Sequence, residues 1–408
     1  MRKLPGAEYV GTYKFVLACF SFSLLFDTGS NGFRLAGLGL PTIFGGGVTL
    51  LGLLHWRPPK DVVLQVAFAL IIGWVGYQVI VCGSVLAGIR MMSVLMLALV
   101  IGGNATPPWD MTFQLRIFFL PILLIMLSFY LGFWHQSVSI VGKYGFGGFN
   151  SNHLALVLCA GAILAAGLGM YDHSGWKWLG LISCPLFIVP IWFTGSRKGL
   201  ILALVCLAIQ AGFFLRFKKT LLLVSLGGVL AIGYLVFGDG EALFHLLEQN
   251  ELFYERYINM WGESVHFRSS LILAGIEAFL QKPWVGFGID APHSTAWLKE
   301  YIGITNNGGL FVGTHNGWID YLIMGGIPLL LLYLVVYARL LSRLFFLALR
   351  QERQWRMYAS TAFSMNLIFC AFVFFGDVYW KLGWWMYGFG LFVLRIYEEE
   401  SEPRIAIG

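Results

Sequence analysis

Residues 152–171 read NHLALVLCAGAILAAGLGMY, with no Asp, Glu, Lys or Arg among them. About 20 apolar residues, coiled into a helix, match the thickness of a bilayer's hydrocarbon core. The rest of the chain has the same character. Over 408 residues it is 58% hydrophobic, 16% aromatic and only 12% charged. Soluble domains carry roughly twice that share of charge, ~25%. So few charges could not cover the apolar surface of a soluble protein of this size. Disordered chains are polar and poor in aromatics, so that class is excluded too. The composition predicts an all-α, polytopic membrane protein.

Working outward from 152–171, hydropathy predicts about twelve spans. They fall at 11–27, 35–55, 62–82, 84–103, 113–133, 152–171, 176–193, 199–215, 220–238, 317–341, 356–376 and 380–396. Pro41 and Gly45-Gly46-Gly47 predict a bend in the second span. The third and fourth run together at Gly83, and Arg90 and Arg116 weaken the fourth and fifth. Three units follow: 1–238 with nine spans, an extramembrane loop domain at 239–316, and 317–408 with three spans and a tail. Arg2 and Lys3 precede an apolar stretch with no small-residue cleavage site, which reads as a first span and not as a signal peptide.

The net charge of +6 is scattered. No basic run exceeds three residues, so the charge points to membrane loops and not to nucleic acid. With a cytoplasmic N-terminus, the inside loops collect Arg57, Lys60, Lys177, Arg216, Lys218, Lys219, Arg339, Arg343, Arg350, Arg353 and Arg356. That is the positive-inside pattern, and it also places the C-terminal tail in the cytoplasm. Six cysteines lie in apolar stretches with no C-x-x-C pair, and read as core residues.

Two features then face outward. The loop 239–316 is too long to be structureless. Its 241–262 stretch predicts a helix at the membrane face, and 269–281 a second helix ended by Pro283 and Gly286-Phe287-Gly288. The other feature is Thr194-Gly195-Ser196-Arg197-Lys198-Gly199, a basic pair on the side that should lack one. The plain reading is two cations snorkelling into headgroups. Yet cations at a helix N-terminus oppose the helix dipole, and an anion there would gain from both the charges and the free amides. A lipid phosphate or pyrophosphate fits, with Arg197 as the better-shaped fork.

His315 sits in Gly313-Thr314-His315-Asn316-Gly317, heading a helix with Asp320 and then Gly325-Gly326. A lone interfacial histidine is often a polar anchor. Here flanking glycines admit a substrate, and a helix N-terminus favours the neutral, base-competent imidazole. Asn152 and His153 could line a site, or Asn152 could simply cap a helix. No D-x-D, Walker loop, H-E-x-x-H or G-x-S-x-G stands in the chain. That argues against nucleotide donors, hydrolytic triads and a bound metal.

These motifs, in this order, resemble the O-antigen ligase and polymerase superfamily of bacterial inner-membrane glycosyltransferases. The resemblance rests on Thr194–Gly199, on Arg268 ahead of Pro283-Trp284-Val285-Gly286-Phe287-Gly288, and on Thr314-His315-Asn316 followed by Gly325 and Gly326. It implies a GT-C-like membrane fold with one large helical periplasmic loop, a multi-pass protein of the inner membrane, and an active site facing the periplasm. The implied donor is a glycan on undecaprenyl pyrophosphate, bound by Arg197 and Arg268, with His315 as catalytic base. Lys198, Asn316, Asn152 and Arg256 are secondary candidates for substrate contact. No cofactor or metal is implied. The arginines would take the role of Mg²⁺, and a single displacement would invert the anomeric carbon without a carboxylate nucleophile. One dominant outer loop favours a ligase, with lipid A–core as acceptor, over a polymerase joining lipid-linked repeat units. A short tail after the last span counts against protein O-oligosaccharyltransferases. A secondary transporter would place its charges near the bilayer midplane, and apart from Arg90 these sit at the outer interface.

Overall fold

The computed structural model describes residues 7–24, 34–35, 38–54, 56–83, 85–103, 110–136, 144–145, 151–172, 174–215, 272–289, 291, 316–350, 352–373 and 381–401. Among these residues lie α1 (Ala7–Ser23), α2 (Leu40–Leu53), α3 (Val62–Cys82), α4 (Val85–Gly103), α5 (Asp110–Tyr130) and α6 (Ser151–Tyr171). They are followed by α7 (Trp176–Phe193), α8 (Arg197–Leu215), α9 (Ile272–Gln281), α10 (Gly317–Ala348), α11 (Arg353–Val373) and α12 (Lys381–Ser401). Two small antiparallel hairpins complete the description, Arg34–Leu35 with Leu38–Gly39 and His135–Gln136 with Tyr144–Gly145.

The described residues are therefore helical almost throughout, as expected. The span expected at 220–238 and the helix expected at 241–262 lie outside them. Among the described residues, five helices are long and apolar enough to cross a bilayer: Val62–Cys82, Met111–Tyr130, His153–Tyr171, Trp176–Phe193 and Gly317–Ala348. The second expected span is shorter than 35–55, because the hairpin takes its first residues and Pro41 sits in the first turn of α2.

The stretch that decides the fold class turns out to be the centre of the bundle. Within α6, His153–Tyr171 is 94% buried inside the protein. Small residues allow this. A Cβ at Gly180 of α7 would lie 2.5 Å from the Ala165 carbonyl oxygen, so the two backbones touch. The outer face of α7 carries exposed Trp178, Ile182, Leu186 and Val189, the apolar surface that lipid tails cover.

Charges gather at one end of the bundle. Asp61 caps α3, accepting from the amides of Val63 (3.0 Å) and Leu64 (3.3 Å). It also accepts from Arg339 Nε at 2.8 Å and Arg343 Nη1 at 2.9 Å on α10, and Arg343 pairs with Glu398 of α12. Buried Arg395 of α12 donates to the carbonyls of Arg57 (2.8 Å) and Gly103 (2.7 Å), closing the C-terminus of α4. Arg116 does not break α5. It pairs with Asp172 at 2.8 Å beside the C-terminus of α6. Arg57, Arg339 and Arg343 of the expected positive side thus share one end, and the starts of α6 and α8 lie at the other.

Burial pushes the Asp61 carboxyl up, but the Arg339 hydrogen bond, the Leu64 amide and the two guanidinium charges outweigh it and hold its pKa below the usual carboxylate range. A depressed carboxylate contributes stability above its unfolded pKa and loses it as pH falls through the folded one. Asp61→Ala removes a cap and two charge-assisted bonds, so it should cost about 3 kcal/mol. Asp61→Asn keeps the cap and should cost about 2 kcal/mol. Thermal unfolding in detergent checks the order. Equal stability of both variants and the parent would show that the cluster is only a solvated surface contact.

Candidate functional site

The turn into α8 is built by its own side chains. Thr194 Oγ1 donates to the Ile191 carbonyl (2.7 Å) and accepts from the Ser196 amide (3.2 Å). Gly195 takes φ +69°, which a side chain rarely adopts. Ser196 Oγ accepts from the Gly199 amide at 3.3 Å, the N-cap bond three residues on. Arg197 and Lys198 are therefore the first two residues of α8. Gly199 lets α8 approach α6: a Cβ there would lie 2.6 Å from the Ala155 Cβ, and Cys159 Sγ donates to the Gly199 carbonyl at 2.9 Å. Asn152 is one turn before Ala155, so the structure brings the backbones of Asn152 and Arg197 to one end of the bundle.

The second group is built around a break in α10. Its backbone leaves helical geometry at Gly325 (φ −143°, ψ 17°) and Gly326 (φ 68°, ψ −167°). Nineteen residues of straight helix would separate Trp318 from Tyr337 by about 28 Å, yet their rings lie 5.5 Å apart. Tyr321 and Tyr333 stack at 4.0 Å. The short arm 317–324 is therefore folded back against the long arm 327–348. The expected straight span at 317–341 is corrected: two adjacent glycines permit the reversal, and Pro328 suits the first turn of the long arm.

Breaking a helix frees main-chain groups that must be satisfied inside an apolar bundle. The segment Pro283–Gly288 supplies the partners. Phe287 N donates to Ile323 O (2.7 Å), Gly288 N to Met324 O (3.1 Å), and Pro283 O accepts from Ile327 N (2.8 Å). Trp74 and Gln78 of α3 complete the junction, through Trp74 Nε1 to Gly325 O at 3.1 Å and Gln78 Nε2 to Val285 O. Gly286-Phe287-Gly288 and Gly325-Gly326, two separate motifs in the sequence, are one interlocked unit. A Cβ at Gly286 would lie 2.6 Å from Gly325 N, and one at Gly326 2.5 Å from Pro283 O.

This unit sets the start of α9 against the short arm. Ile272, at the start of α9, packs with Phe287 on the Ala291, Ile319 and Ile323 cluster. Arg268 is four residues upstream of Ile272, a reach of at most about 14 Å. Asn316 caps the short arm, accepting from Trp318 N (3.1 Å) and Ile319 N (3.4 Å). Its side-chain oxygen is thus committed to the helix, and His315 is bonded directly to its backbone. His315, Arg268 and Arg256 themselves lie outside the described residues. The short arm starts beside Tyr337, two residues before Arg339 of the Asp61 cluster, so it runs from the glycine junction back toward that end of the bundle and away from the start of α8.

Residues 182–334 match the O-antigen ligase family. That stretch is similar to the O-antigen ligase family. No curated protein matches the chain. The matched stretch runs from α7 into the long arm of α10 and supports the O-antigen ligase and polymerase superfamily as a whole. Together with the apolar helices it marks a membrane protein. Arg197, Lys198, Arg256, Arg268, His315 and Asn316 all fall within the matched stretch, and Asn152 lies before it. So do both halves of the glycine junction. Trp74 and Gln78 lie outside it, on α3, and no motif marked them. A glutamine in the middle of an apolar span was the one available signal for Gln78.

Proposed function

We propose that this protein is an O-antigen ligase. It transfers a glycan from undecaprenyl pyrophosphate to a hydroxyl of lipid A–core at the periplasmic face of the inner membrane, with both termini in the cytoplasm. The observation that carries this reading is the ligase-family match, which encloses all but one of the candidate residues. Three features support it. The basic pair Arg197-Lys198 opens a helix at the end opposite the Asp61 cluster. The start of α9 packs, through Ile272, on the same apolar cluster as Ile319 and Ile323 of the short arm. A helix N-terminus presents free amides to an anion.

In this mechanism Arg197 and Arg268 bind the pyrophosphate and carry its growing charge as the glycosidic bond breaks. His315 takes the proton of the attacking hydroxyl, which displaces the pyrophosphate in one step and inverts the anomeric carbon. Lys198, Asn152, Arg256 and the Asn316 region are secondary contacts to sugar or phosphate. The reaction needs no metal. Purified protein offered lipid A–core and lipid-linked repeat units as rival acceptors should glycosylate lipid A–core, in excess EDTA as well. Preferential extension of repeat units would make the protein a polymerase. Activity lost in EDTA and restored by Mg²⁺ would overturn the metal-free step. Arg197→Ala and Arg268→Ala should each lower transfer at limiting donor by about 10-fold to 100-fold, as removal of a charged hydrogen bond costs about 1.5–3 kcal/mol. A variant with full activity across donor concentrations would remove that arginine from the pyrophosphate site.

A further inference from the structure

The break in α10 leaves main-chain groups to be matched, and the Pro283–Gly288 segment takes three of them: Ile323 O, Met324 O and Ile327 N. Two carbonyls at the same junction remain, Gly325 O on the helix and Val285 O on the segment. Both are taken by α3, from Trp74 Nε1 and Gln78 Nε2. Gln78 is fully buried, and its other amide atom accepts from Cys82 Sγ at 3.3 Å. A carboxamide in an apolar span is costly unless bonded, and a leucine would pack α3 as well. The polarity of residues 74 and 78 therefore serves the junction, not the helix that carries it.

We propose that Trp74 and Gln78 are positioning residues. One clamps the helix side and the other the segment side of the junction, fixing the short arm that Asn316 caps. This rests on the proposed transfer reaction. The glycines leave no slack of their own, since a Cβ at Gly325 would lie 2.6 Å from Trp74 Nε1. Removing a donor frees a buried carbonyl and lets the arm shift. A displacement of about 1 Å at a reacting group can cost up to about 100-fold in rate.

The test uses full-length Trp74→Phe and Gln78→Leu, which keep bulk and lose the donor. Each should lower kcat about tenfold, leave the donor KM within about twofold, and raise hydrogen exchange at the amides of 287–288 and 320–324. Exchange in α6 should stay as in the parent, a pattern that a merely structural role would not give. Unchanged exchange at the junction, faster exchange with kcat intact, or kcat lost in step with exchange across every helix would each overturn the proposal. A parent protein that transfers no glycan from a lipid pyrophosphate would instead overturn the proposed reaction, and the positioning role with it.

Discussion

His315→Ala should lower glycan transfer by about 10²–10⁴-fold, the usual contribution of a positioned general base. Donor binding should stay within about twofold, because the pyrophosphate is assigned to Arg197 and Arg268. A sugar hydroxyl is a poor nucleophile while it keeps its proton. Attack on the anomeric carbon becomes effective when a neighbouring group accepts that proton as the bond forms. His315 directly precedes Asn316, which caps the short arm. Arg268→Ala is the informative companion. It should weaken transfer most at limiting donor, whereas His315→Ala should remain slow at saturation. Comparing initial rates over a donor series separates the two roles. Full transfer by His315→Ala at matched protein concentration would end the base assignment, and the proton acceptor would then have to be sought among other groups of the loop.

Much of the bundle could be read from hydropathy, because apolar runs of span length admit few structures in a membrane. The run 62–82 is α3 to the residue, and 176–193 is α7. The reading erred where a tertiary contact overrode local pattern. The run 317–341 looks like one span, since Gly325-Gly326 is equally compatible with a straight, packed helix. Only the segment Pro283–Gly288, about forty residues earlier, makes the reversal possible by supplying hydrogen-bond partners. Arg116 looked like a weak point because its partner, Asp172, lies 56 residues on, just past the far end of the next helix. For the site, the motif residues were legible as types, cations and a histidine at helix starts. Their grouping was not. The contact of Gly199 with α6 and the docking of Gly286 onto Gly325 depend on backbones meeting side by side, which no spacing rule reports. Trp74 and Gln78 were invisible for the same reason: an indole N–H and a carboxamide in an apolar span gain meaning only from the carbonyls they meet.

Gly326→Ala should be the most damaging methyl that can be added to this protein. Gly326 adopts φ 68° with ψ −167°, a region that is essentially reserved to glycine and costs other residues about 1–3 kcal/mol. The added Cβ would also lie 2.5 Å from Pro283 O, 2.6 Å from Trp284 C and 2.7 Å from Trp284 O. All three are backbone atoms, so no side chain can swing aside. Pro283 O is held in turn by Ile327 N at 2.8 Å. Relief requires the segment to leave the break, which frees Ile323 O and Met324 O as well, and an unsatisfied buried carbonyl costs about 1–3 kcal/mol. Strain plus lost pairing should exceed about 3 kcal/mol, and transfer should fall with it, since the short arm loses its seat. Gly76→Ala on α3 is the control. Nothing lies within 4 Å of its Cβ, and alanine in a helix interior is better than glycine by about 0.5–1 kcal/mol. Thermal unfolding in detergent, with hydrogen exchange at 320–324, should separate the pair in opposite directions from the parent. A Gly326→Ala protein as stable and as protected as Gly76→Ala would mean that Pro283–Gly288 is not seated in the break of α10.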